Sequence, residues 1–478
     1  MLFNSVTFII FMMVVFPIYW AIPSKKLPIQ NFFLLIASYF FYACWNWEFL
    51  SLLVFSTFLD YYSGIKIHAS KQHTKRKYWL IASIVINLSI LGVFKYFNFF
   101  IESFSEAFSL IGIKTNIYTL NLILPIGISF YTFHGISYVI DIYKSKITPE
   151  RNFINYGVFV SFFPLLVAGP IERASHLLPQ IVKPRVFNYE KAVNGLKQIL
   201  WGLFKKIVIA DQCAEQVDLI FNNSANHSGS TLFIGALYFS FQIYGDFSGY
   251  SDIALGVARL LGIDLIRNFS FPYFSRDVAE FWRRWHISLS SWFRDYLYIP
   301  LGGSKVDTVT KIRNVFIIFL ISGLWHGAKW TFIVWGLLNA MLIIPSFIFN
   351  SNRQNLDIAS KGKILPSIKD IFSILSTFIL ITFTWIFFRS SSLQQALDII
   401  KEIFSKSLFS IPTIFSPKIG LIISIFMLIE WIGREREFAI EYLGSKLPKA
   451  IRWAIYYAIS HAVIIYAGSG QQFIYFQF

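Results

Sequence analysis

An all-α bundle of membrane-spanning helices is the fold this sequence predicts, and three observations predict it. Hydrophobic residues make up 55% of the 478 and charged residues only 14%, with a mean hydropathy of +0.57, far from the balance of a water-soluble domain. The apolar residues come in long runs separated by short connectors. The basic residues bring the formal net charge to +16 and the pI to about 9.6, yet they gather in short clusters between the apolar runs. That is the positive-inside distribution of a polytopic membrane protein, and it argues against a nucleic-acid partner.

In chain order, runs at 3–20, 32–45 and 49–65 are joined closely enough to pack as antiparallel neighbours. No basic residue precedes the first run and Lys25-Lys26 follow it, which predicts a retained span and not a cleaved signal peptide. Lys66, Lys71, Lys75, Arg76 and Lys77 form the strongest basic cluster and are placed in the cytoplasm. Asp60 beside it is expected to be structural, capped by Tyr61 and Tyr62 or paired with a basic neighbour. Runs at 78–97 and 122–142 follow, with an outward stretch to 121 between them. Pro125, Gly127 and Gly135 break the second of these, as in helices that line a cavity, although its His134 reads as a packing histidine. The run at 153–169 ends in AGPIERASHLLPQ and is expected to turn back into the membrane; the run at 194–210 spans, with Lys197, Lys205 and Lys206 snorkelling or lining a wet cavity. The run at 231–261 carries YGDFSGYSD, either a cavity wall or a satisfied polar cluster. Runs at 312–324, 332–349, 371–388, 419–432 and 453–467 complete one integral domain over 1–478, with about eleven or twelve crossings. Cys44 and Cys213 lie in or beside apolar runs and read as buried thiols, with no metal spacing or disulfide framework.

Charge and aromatics concentrate at 276–304, RDVAEFWRRWHISLSSWFRDYLYIPLGGS. Trp282, Trp285, Leu289, Trp292 and Tyr296 recur at three and four residues, so the spacing predicts one helix with these five on a common side. Glu280 can pair with Arg276 or Arg284, and Pro300 with Gly302-Gly303 should end the helix. Such a helix suits a headgroup anchor as well as a site wall. Among the eight histidines, His286 here and His326, at the turn between two apolar arms, are the informative pair. A buried, neutral imidazole can accept a hydroxyl proton, as a general base in acyl transfer must. Two histidines without HExxH or a third ligand do not make a metal site, and a histidine in a membrane often only bonds neighbouring helices. No GxSxG elbow, P-loop or dinucleotide fingerprint is present.

FWRRWHISLSSWFRDYLYIPLGG at 281–303 followed by LWHGAKWTFIVWG at 324–336 resembles the membrane-bound O-acyltransferase family, in particular its bacterial branch of alginate and peptidoglycan O-acetyltransferases. MLFNS, LPIGISFYTF, FFPLLVAGPIERA, DFSGYSDIALG, TWIFFR and the terminal FIYFQF extend the resemblance over nearly the whole chain. A departure is Gly245, where a larger residue is expected before DFSGYSD. The resemblance implies a helical bundle with a central tunnel, in a bacterial cytoplasmic membrane, passing an acetyl group from cytoplasmic acetyl-CoA toward an envelope polysaccharide through a periplasmic partner protein. It implies His326 as the principal catalytic residue, general base or acyl relay, and His286 as its assistant. Trp282, Trp285, Trp325 and Trp330 would wall the site, Arg283 and Arg284 would meet coenzyme A phosphates, and Asp246 would lie on the donor side. The same two histidine positions occur in D-alanyl-transferring relatives of teichoic acid systems, which leaves that reaction as an alternative. A transporter or a non-enzymatic scaffold subunit are the rivals from other classes, though the paired halves of a transporter are not visible.

Overall fold

The computed structural model describes residues 1–113, 119–120, 122–167, 169–442, 447–468, 471 and 473–474. Part of the expected outward stretch before 121, Ala168 of the AGPIERA motif and the end of the terminal FIYFQF lie outside the described residues. Within them the chain is helical throughout, with no strand. It falls into two compact units, Met1–Gly195 with Ala254–Ile266, and Leu196–Ile253 with Arg267–Phe478.

The first unit is built from α1 (Val6–Ala21), α2 (Leu27–Ala43), α3 (Leu50–Ala69), α4 (His73–Leu91), which runs through a π-helical turn at Gly92–Tyr96 into α5 (Phe97–Leu110), then α6 (Ile128–Tyr143), α7 (Phe153–Ser161), α8 (Phe163–Leu166) and α9 (Ala174–Ile181). The next helix, α10 (Tyr189–Leu203), begins in this unit. Asp60 on α3 is buried, but its partners are Ser83 (2.6 Å) and Asn87 (2.8 Å) of α4 and not tyrosines or a cation. Small polar side chains one helix away satisfy the carboxylate without the desolvation of a second charge. His134 does pack as expected: its Nε2 accepts the Glu172 backbone N–H at 3.0 Å. The Glu172 carboxylate in turn meets His176 at 2.8 Å and accepts the Ile266 N–H at 2.6 Å. Cys44 is exposed, against expectation, because it caps the end of α2 where the chain leaves the helix.

In the second unit a π-helix (Phe204–Ala210) leads from α10 into α11 (Asp211–Asn222). The long α12 (Gly229–Leu260) gives its residues up to Ile253 to this unit. It is followed by α13 (Val278–Arg284), α14 (Ile287–Phe293), α15 (Thr308–His326), α16 (Trp330–Ile348), α17 (Ile368–Arg389), α18 (Leu393–Ile403), α19 (Pro417–Gly433) and α20 (Lys449–Tyr466). Lys205 and Lys206 neither snorkel nor face water. Lys205 reaches Asp252 at 2.6 Å, and Lys206 lies 2.8 Å from both Asp211 and Asp246. Each of these two lysines is buried, because removal of an ammonium from water is tolerated when carboxylates stand opposite. Gly245 follows from the same region: a Cβ there would come within 2.9 Å of the Lys205 carbonyl, so the larger residue expected at this position would clash with the π-helix.

Among the described residues, four helices are long and apolar enough to cross a membrane: His73–Leu110, Thr308–His326, Trp330–Ile348 and Ile368–Arg389. A fifth arises if the pair Val6–Ala21 and Ser24–Ala43, bent by 102°, counts as one. The protein is therefore a multi-pass membrane protein. Two of the other apolar runs are interrupted as helices. That at 122–142 becomes helical only at Ile128, after a left-handed Gly127, and that at 153–169 is divided at Phe162 into helices of 9 and 4 residues.

α15 and α16 pack through glycines. A Cβ on Gly323 would stand 2.3 Å from the Phe332 carbonyl oxygen, and one on Gly336 2.3 Å from that of Phe319. Only glycine permits the backbones this approach. Gly336→Val should therefore destabilise the hairpin by about 1–3 kcal/mol or more. Thermal unfolding of the solubilised protein measures this, and an unchanged midpoint would contradict the packing described.

Candidate active site

The stretch 276–304 is not one helix. α13 ends at Arg284, Trp285 is extended (φ −101°, ψ 129°), and His286 adopts a left-handed conformation (φ 43°, ψ 54°) before α14 begins. The five residues placed on one side by helical spacing are consequently dispersed: Trp282 lies in α13, Trp285 at the break, Leu289 and Trp292 in α14, and Tyr296 in a π-helical turn beyond it. The sequence contains no glycine or proline at the break, and so no local signal for it; tertiary contacts impose it. The chain then passes through a π-helical turn at Arg294–Tyr298 and ends as expected at Pro300 to Gly303, with Gly302 and Gly303 at positive φ.

This break turns His286 into the interior, where it is 1% exposed. Its ring meets Phe247 of α12 edge-on at 4.6 Å and Trp325 at 5.7 Å. The His326 ring, at the last residue of α15 and 5% exposed, lies 6.3 Å from that of His286. Around His326 stand Trp325 (4.9 Å), Trp335 (5.1 Å) and Phe388 (5.3 Å). Neither ring nitrogen of His286 has a hydrogen-bond partner among the described residues. Buried polar atoms are normally satisfied, and this imidazole has both nitrogens available to bond a ligand atom or water.

Of the expected walls, Trp325 touches both histidines. Trp285 supports His286 from behind, packed on Phe281, Phe269 and Trp385 at 5.0–5.4 Å. Trp282 lies one layer out, against Phe319 and Trp335. Trp330 does not belong with them: it is 51% exposed at the start of α16, and the indole beside His326 is that of Trp335, from the same LWHGAKWTFIVWG segment. A helix turns 100° per residue, so a position five further on faces the other way. Phe247 of the DFSGYSD motif, and Trp385 and Phe388 of TWIFFR, also belong to the wall. Their motifs were visible in sequence, but not which of their side chains face the histidines.

The expected donor-side charges are occupied. Asp246 accepts the Ile474 backbone N–H at 2.6 Å and faces Lys206. Glu280, buried, pairs with Arg276 and Arg284 together, and not with one of them. Arg284 also donates to the carbonyls of Asp357 (2.7 Å) and Ser270 (3.3 Å), and Arg283, which remains exposed, donates to those of Asn352 (2.7 Å) and Asn355 (2.8 Å). The guanidinium forks thus hold the segment that follows α16. The Arg276 hydrogen bond to Asp357 holds that carboxyl below its ordinary range. Among the described residues no group of three or more metal-ligating side chains occurs.

Two buried imidazoles 6.3 Å apart within aromatic walls are groups chemically able to accept or return a hydroxyl proton. The family model for membrane-bound O-acyltransferases matches residues 143–392, which include both histidines. The chain belongs to this family and is an acyltransferase. It is 36% identical to the probable alginate O-acetylase AlgI of Pseudomonas aeruginosa over 94% of its own length and 84% of that protein. It is 37% identical to the peptidoglycan O-acetyltransferase of Helicobacter pylori, covering 84% of this chain and 79% of that one. A teichoic acid D-alanyltransferase of Streptococcus thermophilus is 30% identical over 52% of this chain and 63% of its own.

Proposed function

We propose that this protein is an O-acetyltransferase of the bacterial inner membrane that takes the acetyl group of cytoplasmic acetyl-CoA and delivers it for O-acetylation of an envelope polysaccharide, alginate-like or peptidoglycan, by way of an extracytoplasmic partner protein. His326 is the principal catalytic residue. Its imidazole removes the proton of the acceptor hydroxyl as that oxygen attacks the thioester carbonyl; the tetrahedral intermediate then expels the coenzyme A thiolate, which takes the proton back from the imidazolium. His286 orients the donor or assists the proton transfer, and the indoles of Trp325 and Trp335 exclude the water that would hydrolyse the thioester. Arg283, the exposed member of the arginine cluster, is the side chain we assign to the coenzyme A phosphates, with Arg284 holding the adjoining segment.

The observation that carries the reading is the buried His286–His326 pair, 6.3 Å apart, in which both nitrogens of His286 are left without a protein partner among the described residues. The extended similarity to acetyl-transferring relatives, against about half the chain for the D-alanyl-transferring one, favours acetyl as the group moved. Purified protein in proteoliposomes supplied with labelled acetyl-CoA and either alginate or peptidoglycan fragments, with and without envelope proteins, tests it. Label on a glycan or partner supports the reading. Transfer of D-alanine from a carrier protein and none from acetyl-CoA would replace it. In the same assay His286→Ala should slow transfer by about a hundredfold, and an unaltered rate would return His286 to a packing role.

A further inference from the structure

We infer that Asn268 is a positioning residue for the reaction, a clamp that holds His286 in its left-handed conformation; this rests on the role proposed above for His286. A non-glycine residue at φ 43° costs about 1–3 kcal/mol and persists only where its surroundings over-determine it. Here the surroundings are the segment 268–270. The Ser270 N–H donates to the Arg284 carbonyl at 3.0 Å, just before the break, and the Ile287 N–H donates to the Asn268 carbonyl at 2.8 Å, just after it. The two bonds bracket Trp285 and His286, so the chain there cannot relax into the continuous helix that its residues would otherwise form.

The Asn268 side chain completes the bracket. It is 1% exposed; its Oδ1 accepts the Ser288 hydroxyl at 2.5 Å and its Nδ2 donates to the Ser251 hydroxyl at 3.1 Å. One amide thereby ties the first turn of α14 to α12, the helix that also supplies Phe247 against the His286 ring. The carboxamide geometry suits this task, because it offers an acceptor and a donor on opposite sides of one planar group without bringing a charge into the interior. What it sets is the direction in which His286 leaves the chain.

Asn268→Ala should lower kcat about a hundredfold, the loss that misplacement of a reacting group by an ångström produces, with KM for acetyl-CoA changed less than about twofold. The decisive comparison is with His286→Ala. If Asn268 acts through His286, the double variant His286→Ala/Asn268→Ala is no slower than His286→Ala alone, as residues acting as a unit are non-additive. Thiol release from acetyl-CoA, measured at enzyme concentrations that resolve residual turnover, reads this. Losses that multiply in the double variant overturn the proposal, as does an Asn268→Ala enzyme with wild-type kcat. Ser288→Ala, which removes one of the two side-chain bonds, should give an intermediate loss with the thermal midpoint retained, and serves if Asn268→Ala does not fold; a wild-type rate there likewise overturns the clamp. If His286→Ala itself has a wild-type rate, it is the reading of His286 that has failed, and the single variant shows this independently of Asn268.

Discussion

His326→Ala is expected to abolish acetyl transfer, by a factor of about a thousand or more, in a protein that still folds. General-base assistance contributes on the order of 10²–10⁴ in rate, and among the described residues the imidazole nearest His326 in ring contact is that of His286, 6.3 Å away. The fold should survive because the wall around His326 is held by aromatic contacts that do not pass through it: Trp335 stacks on Trp385 at 5.7 Å, and Phe388 packs on Phe332 at 4.8 Å. Truncation of the ring leaves a cavity in that wall and a moderate loss of stability. Transfer measured on proteoliposomes alongside thermal unfolding separates the two effects. Full transfer by a folded His326→Ala protein would remove His326 from the mechanism.

Lys206→Met is expected to have the largest effect on stability, about 3–5 kcal/mol, the usual loss when one member of a buried ion cluster is removed. Lys206 stands 2.8 Å from Asp211 and 2.8 Å from Asp246, with all three side chains at most 4% exposed. Without the ammonium, two carboxylates face each other out of water and must take up protons or draw water in. The triple variant Lys206→Met/Asp211→Asn/Asp246→Asn removes every charge of the cluster and should recover most of the loss. Thermal unfolding of the solubilised proteins tests both. A Lys206→Met protein as stable as wild type, or a triple variant no better than the single, would show that the cluster is not what secures the π-helix to α12.

The residues gathered around His286 and His326 were more legible in the sequence than their arrangement. His326 was legible from its place at a turn between two apolar arms, and the motif around it carried the family. Trp325 and Trp285 were legible as aromatic neighbours of the histidines. Trp335 lies in the same segment, but apolar spacing alone did not separate it from Trp330, since both follow His326 in sequence and only helix rotation decides which turns inward. The paired carboxylates of Lys206 come from α11 and α12, so no local pattern could announce them. Glu280 lay within reach of two arginines, and the sequence could not say that it would take both.

What the sequence determined by itself is the class of the molecule: apolar runs that can only be stable in a bilayer, basic clusters between them, and motifs that place it among the O-acyltransferases. For 276–304 it determined the residues and the end at Pro300 to Gly303, and its helical spacing predicted one continuous helix. Only the tertiary structure decided that this helix breaks at His286. Local propensity is worth a few tenths of a kcal/mol per residue, and the backbone bonds from 268–270 outweigh it. That reversal converts a histidine on a helix face into an imidazole buried opposite His326.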